Sequence, residues 1–182
     1  MSFPFKKFAG RAVVASAVAL ACTTHALADG QSATATAGAS ATIILPIAIT
    51  KTADLVFGKL AVGNTGGTVT ISPTNTVTIG GAGHTITQPT SDSGNPAAAG
   101  FTVTGEPAMT YSITLPADGA ITLTDSATSS TMAVNGFTSS LGATGTLTAG
   151  TQNLKVGATL TVGNSQASGS YTGSFSVTVA YN

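Results

Sequence analysis

Charge is scarce in this chain of 182 residues, where Asp, Glu, Lys and Arg together make up 7%. There is no tryptophan, one cysteine and a single arginine, Arg11. Each shortage removes a class of function. Clustered Lys and Arg are needed to neutralise phosphate, so nucleic-acid binding and a polybasic membrane patch are excluded. Beyond Asp29, Lys51, Lys59 and Lys155 face Asp54, Asp92, Glu106, Asp118 and Asp125, a sparse and slightly acidic set. Cys22 lies before that point, so no disulfide is expected to brace the rest of the chain. One histidine, His84, remains there, which leaves a catalyst without partners.

The chain opens with a leader. Lys6, Lys7 and Arg11 form a positive region, Ala12 to Ala21 an apolar one, and Ala26-Leu27-Ala28 a small-residue cleavage site, so the mature chain is expected to begin at Asp29. The apolar region is too short to span a bilayer, and no later run is long enough for a transmembrane segment. Cys22 follows Leu20 and Ala21, but Ala19 stands where a lipidation signal carries a large aliphatic residue. A secreted, unlipidated chain is therefore expected. About 150 residues remain, enough for one domain with a sizeable core.

Threonine, serine, glycine, asparagine and alanine take the place of charge. Threonine is β-branched and suits a pleated strand while its hydroxyl faces water. Apolar and polar residues alternate at Thr68–Ile71, Thr76–Ile79, Phe101–Val103, Tyr111–Leu115, Ile121–Leu123, Met132–Val134, Leu154–Val156 and Leu160–Val162. Turn signals separate them, among them Gly80-Gly81, Asp118-Gly119, Asn135-Gly136 and Gly163-Asn164. Many short strands at close intervals predict an all-β fold, an immunoglobulin-like antiparallel β-sandwich. Its expected core includes Phe57, Phe101, Tyr111, Ile113, Leu115, Val134, Phe137, Phe175, Val177 and Val179.

The two ends of the mature chain differ from the middle. From Ala33 to Ala41 every odd position is alanine, and the alternation continues through Ile43, Leu45, Ile47 and Ile49. Pro46 cannot donate a ladder hydrogen bond, so it divides an N-terminal extension (29–45) from a sandwich domain (46–182) whose first strand spans Ile47 to Lys51. At the other end, Gly169 to Asn182 reads as one long strand with Tyr171, Phe175, Val177, Val179 and Tyr181 on one face.

Gly169, fourteenth from the end, and the penultimate Tyr181 resemble the C-terminal motif of chaperone–usher pilus subunits. The run Ala33–Ala39, then Ile47-Ala-Ile-Thr and Ala53–Gly58, resembles the opening of spore-coat-U and archaic chaperone–usher pilin-like proteins. Gly67–Pro73, Phe101–Gly105, Tyr111–Pro116 and Gly157–Gly163 resemble the DUF4402 family across nearly the whole mature chain. The pilin resemblance implies a sandwich lacking one strand, whose groove is filled first by a periplasmic chaperone and then, at an outer-membrane usher, by the extension of the next subunit. It implies an assembly set of Ile43, Leu45, Gly169, Tyr171, Phe175, Val177, Val179 and Tyr181, with Ala33, Ala35, Ala37, Ala39 and Ala41 on the donor face. Ile43 and Leu45 are the strong plugs, because a methyl buries less apolar area than a branched side chain.

No catalytic, cofactor-binding or metal residues are expected, and the chain is read as no enzyme. Asp92-Ser-Gly-Asn-Pro and Asp118-Gly read as turns, since calcium needs six to eight converging oxygens. Gly80–Gly83 lacks the lysine and helix of a phosphate loop. The expected function is a secreted pilin-like subunit, exported through the periplasm into a surface fibre for adhesion or biofilm. The alternative is a monomeric secreted binding module whose last strand is completed within its own chain.

Overall fold

Strands in this protein are set by side-chain parity. The computed structural model describes residues 32–182, so the expected leader, Cys22 and the expected cleavage site lie outside the described residues. Residues 32–41 are exposed and form neither helix nor strand. Thr42–Asn182 form one compact unit.

That unit is all-β and antiparallel. In chain order its strands are β1 (Ala48–Ala53), β2 (Ala61–Val62), β3 (Gly67–Ile71), β4 (Val77–Gly80), β5 (Ile86–Thr87), β6 (Ala99–Thr104), β7 (Thr110–Thr114), β8 (Ile121–Asp125), β9 (Thr131–Ser139), β10 (Thr144–Thr146), β11 (Thr151–Val162), β12 (Tyr171–Thr172) and β13 (Thr178–Tyr181). The large sheet runs β1-β6-β11-β9-β8-β12, with β3 also on β11 and β4 outside β3. A three-stranded sheet, β10-β7-β13, and a two-stranded one, β2-β5, complete the fold. It is all-β, with antiparallel sheets in the sandwich-like arrangement that the alternation predicts.

β11 organises the core. Its even residues Leu154, Val156, Ala158, Leu160 and Val162 are all buried, in the period-two pattern of a strand with one face inward. Thr151–Val156 pair with β6 and Ala158–Val162 with β3 along one edge, while β9 takes the other. The half nearer β6 packs Leu154 and Val156 against Tyr111 and Ile113 of β7 and against Leu147. The half nearer β3 packs Leu160 and Val162 against Val69, Ile71, Ile86, Val134 and Phe57. One sheet thus carries two covering layers, each with its own core.

The structure corrects three local expectations. Leu154–Val156 and Leu160–Val162 belong to one strand, because Ala158 keeps the inward parity through Gly157. Asn135-Gly136 is no turn: it lies inside β9 at an irregularity opposite Gly157–Thr159, with Gly136 at φ 57°. A glycine in the left-handed region absorbs the extra residue of such a bulge and lets Phe137 return to the core. The last fourteen residues do not form one ladder. β12 pairs with β8 in the large sheet and β13 with β7 in the small one, so the chain crosses between layers over Gly173–Val177. Parity survives the crossing, since Tyr171, Phe175, Val177, Val179 and Tyr181 are half-buried while residues 172, 174, 176, 178 and 180 are exposed. Alternation determines which way a side chain points; it does not determine which strand pairs with it.

Of the expected core, Phe57, Tyr111, Ile113 and Val134 are buried. Phe101, Leu115, Phe137, Phe175, Val177 and Val179 are half-buried at the margins of the two clusters.

Candidate functional site: a groove beside the last strands

The layer crossing leaves a groove of about 1020 Å³. Residues 53–62 form one wall and 166–175 the other, ten consecutive residues on each side. Met132, Val134, Leu160 and Val162 lie along the floor. These four are at most 9% exposed, so the core beneath the groove is nearly closed. Half-buried Leu55, Leu60 and Tyr171 supply its apolar walls.

The two walls are held from outside. Val56 exchanges both backbone hydrogen bonds with Ala97, at 2.8 and 2.9 Å, and Lys59 N–H donates to the Ser93 carbonyl at 2.7 Å. On the other wall, the Tyr171 hydroxyl donates to the Ala167 carbonyl at 2.7 Å and accepts Gln166 Nε2 at 2.8 Å. Gln166 Oε1 in turn accepts the Gly163 amide at 3.1 Å. Between the ladders of β12 and β13, Gly173–Val177 join no ladder among the described residues. Their backbone groups are thus tied into neither sheet.

Both lysines that line the groove are paired, Lys51 within the lining and Lys59 with a carboxylate outside it. Lys51 pairs with Asp54 at 2.6 Å and Lys59 pairs with Asp92, all four largely exposed. Asp125, where β8 ends, is buried and accepts three hydrogen bonds: Thr128 Oγ1 at 2.7 Å, Thr128 N–H at 2.9 Å and Ser170 N–H at 3.0 Å. The Thr128 hydroxyl first, then the Thr128 amide, hold its carboxyl below the usual carboxylate range. Burial pushes the Tyr111 phenol up, where it donates to Gln152 Oε1 at 2.9 Å.

The assembly set singled out in the sequence divides between the groove and its surroundings. Gly169, Tyr171 and Phe175 line the groove. Val177, Val179 and Tyr181 pack against the β7 cluster instead. Ile43 is 98% exposed and Leu45 58%, with Ile44 exposed between them. No local sequence signal marks residues 53–62 as a wall, since the segment is held by distant partners: Ala97 for Val56, Ser93 for Lys59, and β5 for β2.

The polar candidates are turn residues. Asp92 Oδ1 accepts the Gly94 amide at 3.3 Å, and Asp118 Oδ1 accepts the Gly136 amide at 2.7 Å. His84 is half-buried, with Nδ1 unpartnered. Among the described residues no three His, Cys, Asp or Glu converge as metal ligands, and no helix is long and apolar enough to cross a membrane.

Residues 47–181 match the family described as domain of unknown function (DUF4402). The chain belongs to that family. The DUF4402 match begins at Ile47, one residue after Pro46, and ends at Tyr181, so it includes both walls of the groove and leaves the alanine-rich run outside. Neither a curated protein nor a solved structure matches the chain.

Proposed function

We propose that this DUF4402 protein is a secreted, pilin-like structural subunit whose groove accepts the N-terminal extension of a second copy, building a surface fibre for adhesion or biofilm by donor-strand exchange. The observation that carries the reading is the groove itself, bordered at one end by the unladdered residues Gly173–Phe175. The nearly closed floor suits small side chains such as alanine methyls on alternate positions. Charge agrees as well: residues 32–44 contain no ionisable side chain, and the charges at the groove are already paired. Backbone hydrogen bonds would supply affinity and alternate side chains the register. An apolar groove of this kind is prone to aggregation, so a periplasmic chaperone and an outer-membrane usher are the natural partners during export.

The nearly closed floor favours a second reading, a self-contained monomeric binding module of the same fold. Electron microscopy and sizing of the mature chain separate the two. Fibres or ladders of oligomers support donor-strand exchange. A chain that stays monomeric at high concentration, stable without a chaperone, supports the module.

A further inference from the structure

Leu45, Glu106 and Tyr181 close a ring of hydrogen bonds in which each residue donates once and accepts once. The Leu45 amide donates to Glu106 Oε2 at 3.0 Å, the Glu106 amide donates to the Tyr181 phenol at 2.7 Å, and the phenol donates to the Leu45 carbonyl at 2.8 Å. These residues lie 61, 75 and 136 positions apart, so no local element produces the arrangement. Space for it comes from Gly105, where a Cβ would run into the phenol oxygen and stand 3.0 Å from Leu147 Cδ1.

Burial does not explain why Leu45 is held, since its side chain is 58% exposed. Both of its backbone polar groups are nevertheless taken up, one by a carboxylate, which makes the stronger class of hydrogen bond. Pro46 adds to this. It restricts Leu45 to extended backbone and brings no N–H of its own to compete. Immediately beyond, Ile47 and Ile49 pack into the same cluster as Val179 and Tyr181. Immediately before, Ile43 and Ile44 are exposed.

We propose that the Leu45–Glu106–Tyr181 ring is a clamp that fixes where the extension leaves the domain, making Ile44 the first free residue of the donor strand. The inference rests on the donor-strand reading and sharpens it. Leu45 stays with its own domain, and the donor presents its odd positions from Ala33 to Ile43 to a second copy in one register. Tyr181 belongs to β13, which is laddered to β7, so the clamp ties Leu45 to the small sheet in addition to its covalent link to β1. Glu106 and Tyr181 are positioning residues here, and they touch no donor.

Residue-resolved amide exchange on the mature chain, as monomer and as polymer, tests the clamp. In wild-type monomer Leu45 should exchange slowly while Ile43 and Ile44 exchange freely. Glu106→Ala removes the Leu45 acceptor, and Tyr181→Phe keeps the ring in the core while removing the hydroxyl. Each should speed Leu45 exchange about tenfold or more and leave Leu160 unchanged. Tyr181→Phe carries the test if Glu106→Ala does not fold. On polymerisation protection should spread to Ala41 and Ile43 with the Leu45 rate unaltered. Leu45 exchanging as fast as Ile43 in wild type, variants without effect on it, or a Leu45 rate that slows on polymerisation would each overturn the clamp. A wild-type chain that never polymerises overturns the fibre reading instead, and the monomer exchange rates still decide the clamp.

Discussion

Gly169 lies flat against the carboxylate of Asp125. A Cβ at Gly169 would stand 2.6 Å from Asp125 Cγ and 2.7 and 2.9 Å from its two oxygens, closer than side chains approach. The carboxylate cannot retreat, because Thr128 and Ser170 hold it by three hydrogen bonds. Gly169 therefore permits the chain to pass β8 and enter β12. Replacing it with alanine should destabilise the domain by about 1–3 kcal/mol, the usual cost of overpacking a fixed site, with valine worse. Urea denaturation measures this, and an unchanged midpoint would show that the segment can shift aside.

The same site predicts a response to acid. Asp125 has a carboxyl held below its ordinary value, chiefly by the Thr128 hydroxyl, so the folded state binds its proton more weakly than the unfolded chain does. Its contribution to stability is complete above the ordinary aspartate value of 3.8 and is lost as pH falls below that towards the lowered folded value. Between pH 5 and the acid limit, wild type should lose stability more steeply than Asp125→Asn, which starts lower and has no carboxylate to protonate at that site. Thermal melts as a function of pH decide it: parallel slopes for the two proteins would remove Asp125 as the source.

How much of the fold is legible in the sequence varies with the physics involved. Strands whose signal is local, such as β3, β6 and β7, stand where Val69, Val103 and Tyr111 alternate with threonine. Ala158 conceals the continuity of β11, since alanine is equally at home inside or outside, and Asn135-Gly136 has the same chemistry in a hairpin turn and in a bulge. Pairing is non-local. The aromatic face of the last fourteen residues is readable, but its division between β8 and β7 depends on partners about fifty to seventy positions away. For the same reason Gly169 and Tyr181 are recognisable as a motif, while the Asp125 carboxylate under one and the Leu45 carbonyl on the other are not.

Phe175 sits where the groove meets the β7 cluster, and its neighbours grade what its loss should cost. Its ring meets Phe101 edge-on at 6.4 Å and Phe137 tilted at 5.0 Å, yet it is only half-buried. Phe175→Ala should therefore cost about 2 kcal/mol in the monomer, less than a fully buried aromatic. Leu154, at 0% exposure, should cost about 2–5 kcal/mol when cut to alanine. Chemical denaturation of both variants checks the order; a larger loss at Phe175 would mean that the groove is closed in solution.

Ile43 separates folding from assembly most cleanly. At 98% exposure its side chain contributes almost nothing to its own domain, so Ile43→Asp should leave monomer stability within about 0.5 kcal/mol of wild type. In a donor strand the same residue is the largest side chain on the odd-numbered face from Ala33, and a carboxylate there would enter an apolar groove without a cation free to meet it, Lys51 and Lys59 being paired already. Burying an unpaired charge costs several kcal/mol, more than the alanine methyls can offset. Polymer should therefore disappear while circular dichroism and the denaturation midpoint stay as in wild type. Thr42→Asp is the control: its side chain belongs to the opposite face of the strand, so it should polymerise nearly as wild type does. Equal loss from both substitutions would point to charge repulsion along the extension, and no loss from either would show that the extension does not enter a neighbour.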